Sequence, residues 1–186
     1  EEIEKQLARR ILTTDQSLKE VQVYCESRVT DVPDFKKPEE WLKEATRIRL
    51  AVLDKIVFRG RNAKQWRDAK SKVVWDKVIE DLPGYRIRKL RFEILPGWWA
   101  PALLYEPEML SGKIPVIVNV NGHGRTGKAS PQKQIRCINQ AKRGMLALNV
   151  EWIGLGQFKN RVGHYQLAQL DLCGESGLAP FFLNVS

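Results

Sequence analysis

The spacing of apolar residues changes at Pro83-Gly84, and this change divides the chain into two parts. Before it, a helix is predicted from Pro38, because proline suits the first turn and glutamates follow it. Its apolar positions recur at helical spacing, at Leu42, Ala45, Ile48, Ala51 and Ile56. A further helix is predicted over residues 63–79. Residues 1–83 are therefore predicted to form a helical N-terminal segment.

After Gly84 the apolar residues alternate with a period of two, which is typical of strands. Residues 85–95 and 98–105 both alternate, and Pro96-Gly97 separates them. Two alternating runs joined by a short turn containing proline and glycine predict a β-hairpin.

A strand, helix and strand pattern follows the hairpin. Apolar strands are predicted over 115–120 and 145–150. The helix between them has Ser130 as its N-cap and Pro131 at its first position, with Gly144 beyond its end. This spacing predicts a parallel βαβ crossover, so we expect a parallel sheet with helices packed on it.

Composition and charge narrow the class of protein only modestly. The 186 residues are 43% hydrophobic and 28% charged, as in ordinary globular proteins, and no apolar run reaches the length of a membrane span. The net charge of +9 is spread over both halves without a nucleic-acid reader motif, so neither nucleic acid nor membrane is predicted as a partner. Three cysteines without a C-x-x-C pair predict small buried residues rather than a metal site.

The stretch VNVNGHGRTGKAS, residues 118–130, resembles two phosphate-binding patterns at once. It contains G-x-x-x-x-G-K, but a P-loop needs Ser or Thr after the lysine to bind magnesium, and Ala129 stands there. It also contains G-x-G-x-x-G, and Glu151 ends the next strand where a ribose-binding acid would lie. However, the helix start signal at Ser130 places all three glycines ahead of the helix. Dinucleotide or nucleotide binding stays an alternative.

A third interpretation is that the turn aims a backbone N–H at a substrate oxygen. In this case the turn after a parallel strand supplies one donor of an oxyanion hole, and the residue after a nucleophile supplies the other. Two antiparallel strands, an apolar strand, a glycine turn, a helix and a strand follow in the order this requires. A second glycine turn, residues 153–156, comes after the last strand.

The motifs NGHG and CINQAKRGMLALNVEWIGLGQ resemble those of the bacterial acetyl xylan esterase-like branch of the α/β-hydrolases. The resemblance covers roughly residues 84–180. It implies an α/β fold, an α/β-hydrolase-type three-layer sandwich, with residues 84–186 as its N-terminal half and 1–83 as a helical extension. It further implies a serine-type carboxylic ester hydrolase without a cofactor, acting on a small ester or acetylated carbohydrate, and a secreted or periplasmic location.

The resemblance also implies roles for individual residues. The backbone N–H of His123 is expected to be the first oxyanion donor, with Gly122 and Gly124 permitting the turn. The remaining pocket candidates are Arg125, Glu151, Trp152 and His164. Glu151 has two open interpretations: it orients Arg125 or a substrate hydroxyl, or it forms an ion pair that braces the loop. His164 could equally be pocket wall or structural.

No nucleophile or metal site is predicted within the chain. Ser176 lies in G-E-S-G-L, which lacks the final glycine of a G-x-S-x-G elbow because Leu178 replaces it. Both histidines, His123 and His164, precede Ser176, whereas the hydrolase order places the catalytic histidine after the nucleophile. We therefore expect the triad beyond residue 186. A catalytically inactive interaction module is the remaining alternative.

Overall fold

The computed structural model describes residues 1–122, 124–160 and 162–186, which form two compact units, residues 1–44 and 45–186. The α-helices are α1 (Glu2–Leu7), α2 (Gln16–Glu26), α3 (Pro38–Val52), α4 (Arg61–Asp68), α5 (Pro131–Lys142), α6 (His164–Leu172) and α7 (Ala179–Leu183). The strands are β1 (Val73–Leu82), β2 (Tyr85–Leu95), β3 (Trp98–Pro107), β4 (Val116–Asn119) and β5 (Leu146–Val150).

The helix predicted from Pro38 is confirmed as α3. Two glutamates, Glu39 and Glu40, occupy its first turn, where they face the positive end of the helix dipole. A wider π-helical turn, Leu53–Val57, continues it to Phe58. Helices α1 and α2 contain no buried residue.

The helix predicted over 63–79 is wrong beyond Asp68. Residues Val73–Leu82 form the strand β1, which pairs antiparallel with β2 and lies at one edge of the sheet. The run is rich in valine and isoleucine, which pack well on a pleated surface, and pairing with β2 favours the strand. The helical character predicted for residues 1–83 therefore ends before this strand.

Two tight turns join the first three strands. Gly84 and Gly97 both have positive φ, 83° and 85°, which suits the third position of a type II turn with proline before it. The predicted hairpin is confirmed as β2 and β3, with Leu95 opposite Trp98. The Pro83-Gly84 turn, taken above as the boundary between two parts, joins β1 to β2 in the same way.

The predicted βαβ unit is confirmed, but the sheet is mostly antiparallel. Its order is β1-β2-β3-β5-β4, and β4 and β5 are parallel, with α5 connecting them. The other three neighbouring pairs are antiparallel. The expected parallel pairing is limited to β4 and β5, because the hairpin extends the same sheet, with β3 lying antiparallel beside β5.

Helices pack on both faces of this sheet. On one face α5 covers a core cluster of Ile87, Tyr105, Cys137, Ala141 and Ala147. On the other face α6 and α7 pack against Ile94 and Ala100. The result is a mixed α/β arrangement in three layers, in which the carboxyl ends of β4 and β5 lie side by side.

Candidate active site

The candidate site lies at the carboxyl ends of the parallel strands β4 and β5. Asn121, which is 2% exposed, follows β4 and connects the two strands. Its side-chain Nδ2 donates to Asn149 Oδ1 at 2.9 Å and to the Val150 carbonyl at 2.5 Å. The start of the glycine turn is therefore fixed to the neighbouring strand.

The tip of the turn contains the residues predicted to form the oxyanion donor. The Gly124 N–H donates to the Gly122 carbonyl at 2.7 Å, and Lys133 Nζ of α5 donates to the same carbonyl at 3.1 Å. His123, the predicted donor, lies outside the described residues. Neither Gly122 nor Gly124 has a positive φ, and a Cβ on Gly122 would meet nothing within 4 Å. The described backbone thus does not itself require glycine at these two positions.

The glycines that the structure does require are Gly127 and Gly156. They have φ of 55° and 51°, a region that side chains disfavour. A Cβ on Gly127 would lie 1.8 Å from Glu151 Oε1, and one on Gly156 would lie 2.3 Å from Glu151 Oε2. The two glycine turns therefore close around a single carboxylate.

Glu151 forms the centre of this closure. Its carboxylate accepts hydrogen bonds from Lys128 Nζ at 2.6 Å, from the Lys128 N–H at 2.9 Å and from the Gln157 N–H at 3.2 Å. Lys128 is 6% exposed and Glu151 is 1% exposed, so the ion pair is buried. Glu151 thus forms a buried ion pair with Lys128 and not with Arg125. Arg125 is exposed, and its backbone carbonyl accepts from the Gly156 N–H at 3.3 Å.

These contacts weigh against both phosphate-binding alternatives. A P-loop lysine must reach phosphate oxygens, but the Lys128 ammonium is bound to Glu151. A ribose-binding acid must offer its carboxylate to a ligand, but that of Glu151 is buried and already bonded. In addition, α5 begins only at Pro131, after a 3₁₀ turn Gly127–Ala129, so its N-terminus lies downstream of all three glycines.

Two buried asparagines complete the brace, and the sequence analysis did not identify either of them. Asn149 Nδ2 donates to the Lys128 carbonyl at 3.1 Å, while its Oδ1 accepts from Asn121. Asn184 Nδ2, near the end of α7, donates to the Glu151 carbonyl at 3.0 Å. An asparagine inside the apolar strand LALNV was a usable signal, because a buried amide needs a partner.

The other predicted pocket residues have different surroundings. Trp152 is half-buried, and its ring lies 5.4 Å from that of Phe181, tilted by 32°. Arg125 is exposed beside the turn. His164 is the first residue of α6, and its side chain lies outside the described part of the chain.

Ser176 has contacts that suit a structural loop rather than a nucleophile elbow. It lies between α6 and α7, not after a strand, and is 3% exposed. Its N–H donates to the Arg59 carbonyl at 3.0 Å, and its Oγ accepts from the Leu178 N–H at 3.2 Å. The preceding Glu175 accepts from the Ala63 N–H at 2.9 Å at the start of α4.

The three cysteines differ in burial. Cys137 is buried in the core, and burial raises the pKa of its thiol to about 11. Cys25 and Cys173 are exposed, which corrects the expectation that all three are buried. The described residues contain no cluster of three potential metal ligands and no helix that could cross a membrane.

The fold of the chain resembles those of several solved structures. It superposes on a candidate acetyl xylan esterase from Bacteroides fragilis with a TM-score of 0.68 and 19% identity over 91% of this chain. The chain has an esterase-like fold. A methylesterase matches with a TM-score of 0.50 and 23% identity over 78% of the chain. No protein-family model and no curated protein matches the sequence.

The chain spans about half of the Bacteroides protein, 47% of its length, and 30% of the methylesterase. The resemblance therefore concerns the fold of residues that form only part of those molecules.

Proposed function

We propose that residues 84–186, with β1 added at the sheet edge, form the N-terminal half of a serine-type carboxylic ester hydrolase acting on acetylated carbohydrate. The observation that carries this proposal is the braced glycine loop at the carboxyl end of β4, held to β5 by Asn121 and by the Lys128–Glu151 pair. Parallel strands of α/β sheets place their ligands at this end. The esterase-like fold supports an ester as the class of substrate.

In this role the loop stabilises the oxyanion that forms when a nucleophile attacks the ester carbonyl. We assign the donor to the backbone N–H of His123, and Gly122 and Gly124 flank it. A donor of this kind must lie about 2.7–3.1 Å from the developing oxyanion without rearrangement during the reaction. The buried Lys128–Glu151 pair limits such rearrangement, so Glu151 acts as a positioning residue.

The nucleophile, acid and general base belong, in this proposal, to residues outside 1–186. The free edge of the sheet favours this arrangement. Val116 and Val118 of the edge strand β4 are 57% and 43% exposed, and a further strand beside β4 would pair its backbone and shield them. We propose that this strand leads into a G-x-S-x-G elbow.

The test has two arms. The polypeptide 1–186 and its Ser176→Ala variant are assayed with p-nitrophenyl acetate. We expect the same rate of hydrolysis from both, because Ser176 is not the nucleophile. The product of the whole gene is then assayed for acetate release from acetylated xylan, which a phosphonate that captures the nucleophile should abolish. A reading frame without a G-x-S-x-G serine, or turnover that depends on Ser176, would contradict the proposal.

Binding measurements separate this proposal from the nucleotide alternative. Titration calorimetry of the chain with NAD, NADP and ATP plus magnesium is expected to give no saturable binding at submillimolar concentrations, because Lys128 and Glu151 are bonded to each other. Micromolar affinity that Gly124→Val abolishes would favour a nucleotide site instead.

A further inference from the structure

Two cavities lie side by side on the α5 side of the sheet and share Arg91, Pro101 and Gln157. The larger, of about 470 Å³, is also lined by Val74, Lys89, Leu103 and Lys128. The smaller, of about 390 Å³, is also lined by Trp98, Trp99, Phe158 and Val162. We call this joined space the basic groove; each part is within the size range of ligand sites.

The basic groove begins beside the candidate active site. Two of its lining residues, Lys128 and Gln157, both donate hydrogen bonds to the Glu151 carboxylate. A ligand in the groove would therefore extend from the glycine loop across the sheet toward β1. Lys89, Arg91 and Trp99 of the groove, in contrast, take no part in the brace around Glu151.

Two cations of the groove, Lys89 and Arg91, lack the acidic partners that neighbouring arginines of β2 have. On the opposite face of β2, Arg86 and Arg88 both pair with Glu106, at 2.5 and 3.1 Å. On the groove face, Lys89 and Arg91 form no ion pair with any described carboxylate. One strand thus has compensated charge on one face and uncompensated positive charge on the other.

One acidic residue, Asp76, also lines the larger cavity. Its Oδ1 accepts a hydrogen bond from the Lys77 N–H at 2.7 Å. Lys89 and Arg91 together still outnumber Asp76, so the groove keeps a positive excess that favours an anionic ligand.

The smaller cavity adds aromatic surface to this charge. The Arg91 guanidinium carbon lies 5.5 Å from the centroid of the Trp99 ring, so charge and indole are adjacent. Trp98 packs edge-on against Phe158 at 6.1 Å between ring centroids, which fixes its orientation. Indole faces pack against the apolar C–H face of a sugar ring, and a guanidinium binds a carboxylate through paired N–H donors.

We propose that the basic groove binds a carbohydrate chain carrying carboxylate groups, that is, one containing uronic acid units. Arg91 and Lys89 would bind the carboxylates, and Trp99 would pack against a sugar ring. This inference rests on the proposed function, because a sugar polymer held in the groove would present its acetylated units to the loop beyond Gln157. It adds a substrate class, acidic polysaccharide, that the ester chemistry alone does not specify.

Calorimetry and tryptophan fluorescence titration at low salt test the groove without requiring catalysis. The probes are tetragalacturonate as the acidic sugar, xylotetraose as the neutral one, and polyglutamate and a deoxythymidine decamer as anions of other classes. We expect saturable binding of tetragalacturonate with a fluorescence change. Arg91→Ala should weaken it about tenfold, the loss of one charge-assisted hydrogen bond, and Trp99→Ala should also weaken it. Arg143→Ala, an exposed arginine outside the groove, should leave it unchanged.

The outcomes separate this inference from the proposed function. Equal binding of xylotetraose, unchanged by Arg91→Ala, would overturn the acidic class but leave a carbohydrate esterase possible. Equal or tighter binding of polyglutamate or the decamer would overturn the carbohydrate assignment of the groove. Absence of tetragalacturonate binding to a folded chain would overturn the inference even if the whole enzyme releases acetate. Circular dichroism of each variant shows whether it is folded.

Discussion

Replacing Lys128 by methionine is the most direct test of the brace around Glu151. Methionine is similar in length and apolar, so it fills the same space but removes the ammonium group. Glu151, which is 1% exposed, would then be a buried carboxylate without its counter-charge. We expect the folded chain to lose a large part of its stability.

The magnitude follows from the geometry of the pair. Removing one partner of a buried ion pair costs about 3–5 kcal/mol, because the other charge is left uncompensated. In this site the backbone N–H groups of residue 128 and of Gln157 still donate to the carboxylate, at 2.9 and 3.2 Å. We therefore expect a loss near the lower limit, about 3 kcal/mol in the free energy of unfolding.

The assay is urea unfolding followed by circular dichroism and tryptophan fluorescence. The matched control is Lys64→Met, because Lys64 pairs with Asp54 at 3.2 Å but both side chains are about half exposed, 51% and 53%. Exposed pairs contribute about 0–1 kcal/mol, so this identical substitution should cost less than about 1 kcal/mol.

A double-mutant cycle decides whether the pair itself is responsible. Glu151→Gln alone leaves the Lys128 ammonium buried without its charged partner, and the double variant removes both charges. The double variant should therefore lose less free energy of unfolding than the sum of the two single variants. We expect this difference, the coupling energy of the pair, to be at least about 1 kcal/mol. A loss below 1 kcal/mol for Lys128→Met, or additive single effects, would refute the buried-brace reasoning.

Three further predictions are tested by urea unfolding, by its pH dependence and by thiol modification. Gly127→Ala should destabilise the chain by about 2 kcal/mol or more, whereas Gly122→Ala should cost under about 1 kcal/mol. Backbone N–H groups of α4 lower the pKa of Glu175 from 4.5, so its stabilisation exists above that pH and is lost on acidification; Glu175→Gln should remove this dependence. An aromatic disulfide reagent should modify both exposed cysteines in the folded chain, and Cys137 only in denaturant.

Local signals predicted the hairpin and the βαβ unit because each depends on turn residues and spacing within a few tens of positions. The strand β1 was missed for the opposite reason. Its antiparallel pairing with β2 stabilises residues 73–82 as a strand, whereas the sequence pattern predicted a helix over residues 63–79. The antiparallel pairing of β3 with β5 is likewise a property of strand order, which no local pattern in the sequence states.

The candidate site was only partly predictable. Its position after β4 was expected from the glycine turn and stays a prediction, and an ion pair of Glu151 was one of two interpretations left open. The partner of Glu151 was not predictable, because the Gly127-Lys128 pair suggested that Lys128 faces a ligand. Only the parallel pairing of β4 with β5 brings Lys128 to Glu151. Asn184 contacts this site from 33 residues further along the chain, beyond any local pattern.

The brace explains why this loop resembles a phosphate-binding motif while having a different physical requirement. In such motifs glycine lets the backbone approach a ligand's phosphate, and lysine binds its charge. Here Gly127 and Gly156 let two turns approach the chain's own carboxylate, and Lys128 binds that charge. An internal anion of this kind fixes the loop before any substrate arrives. For the proposed oxyanion donor such preorganisation matters, because a donor that must reorient during the reaction loses much of its stabilising effect.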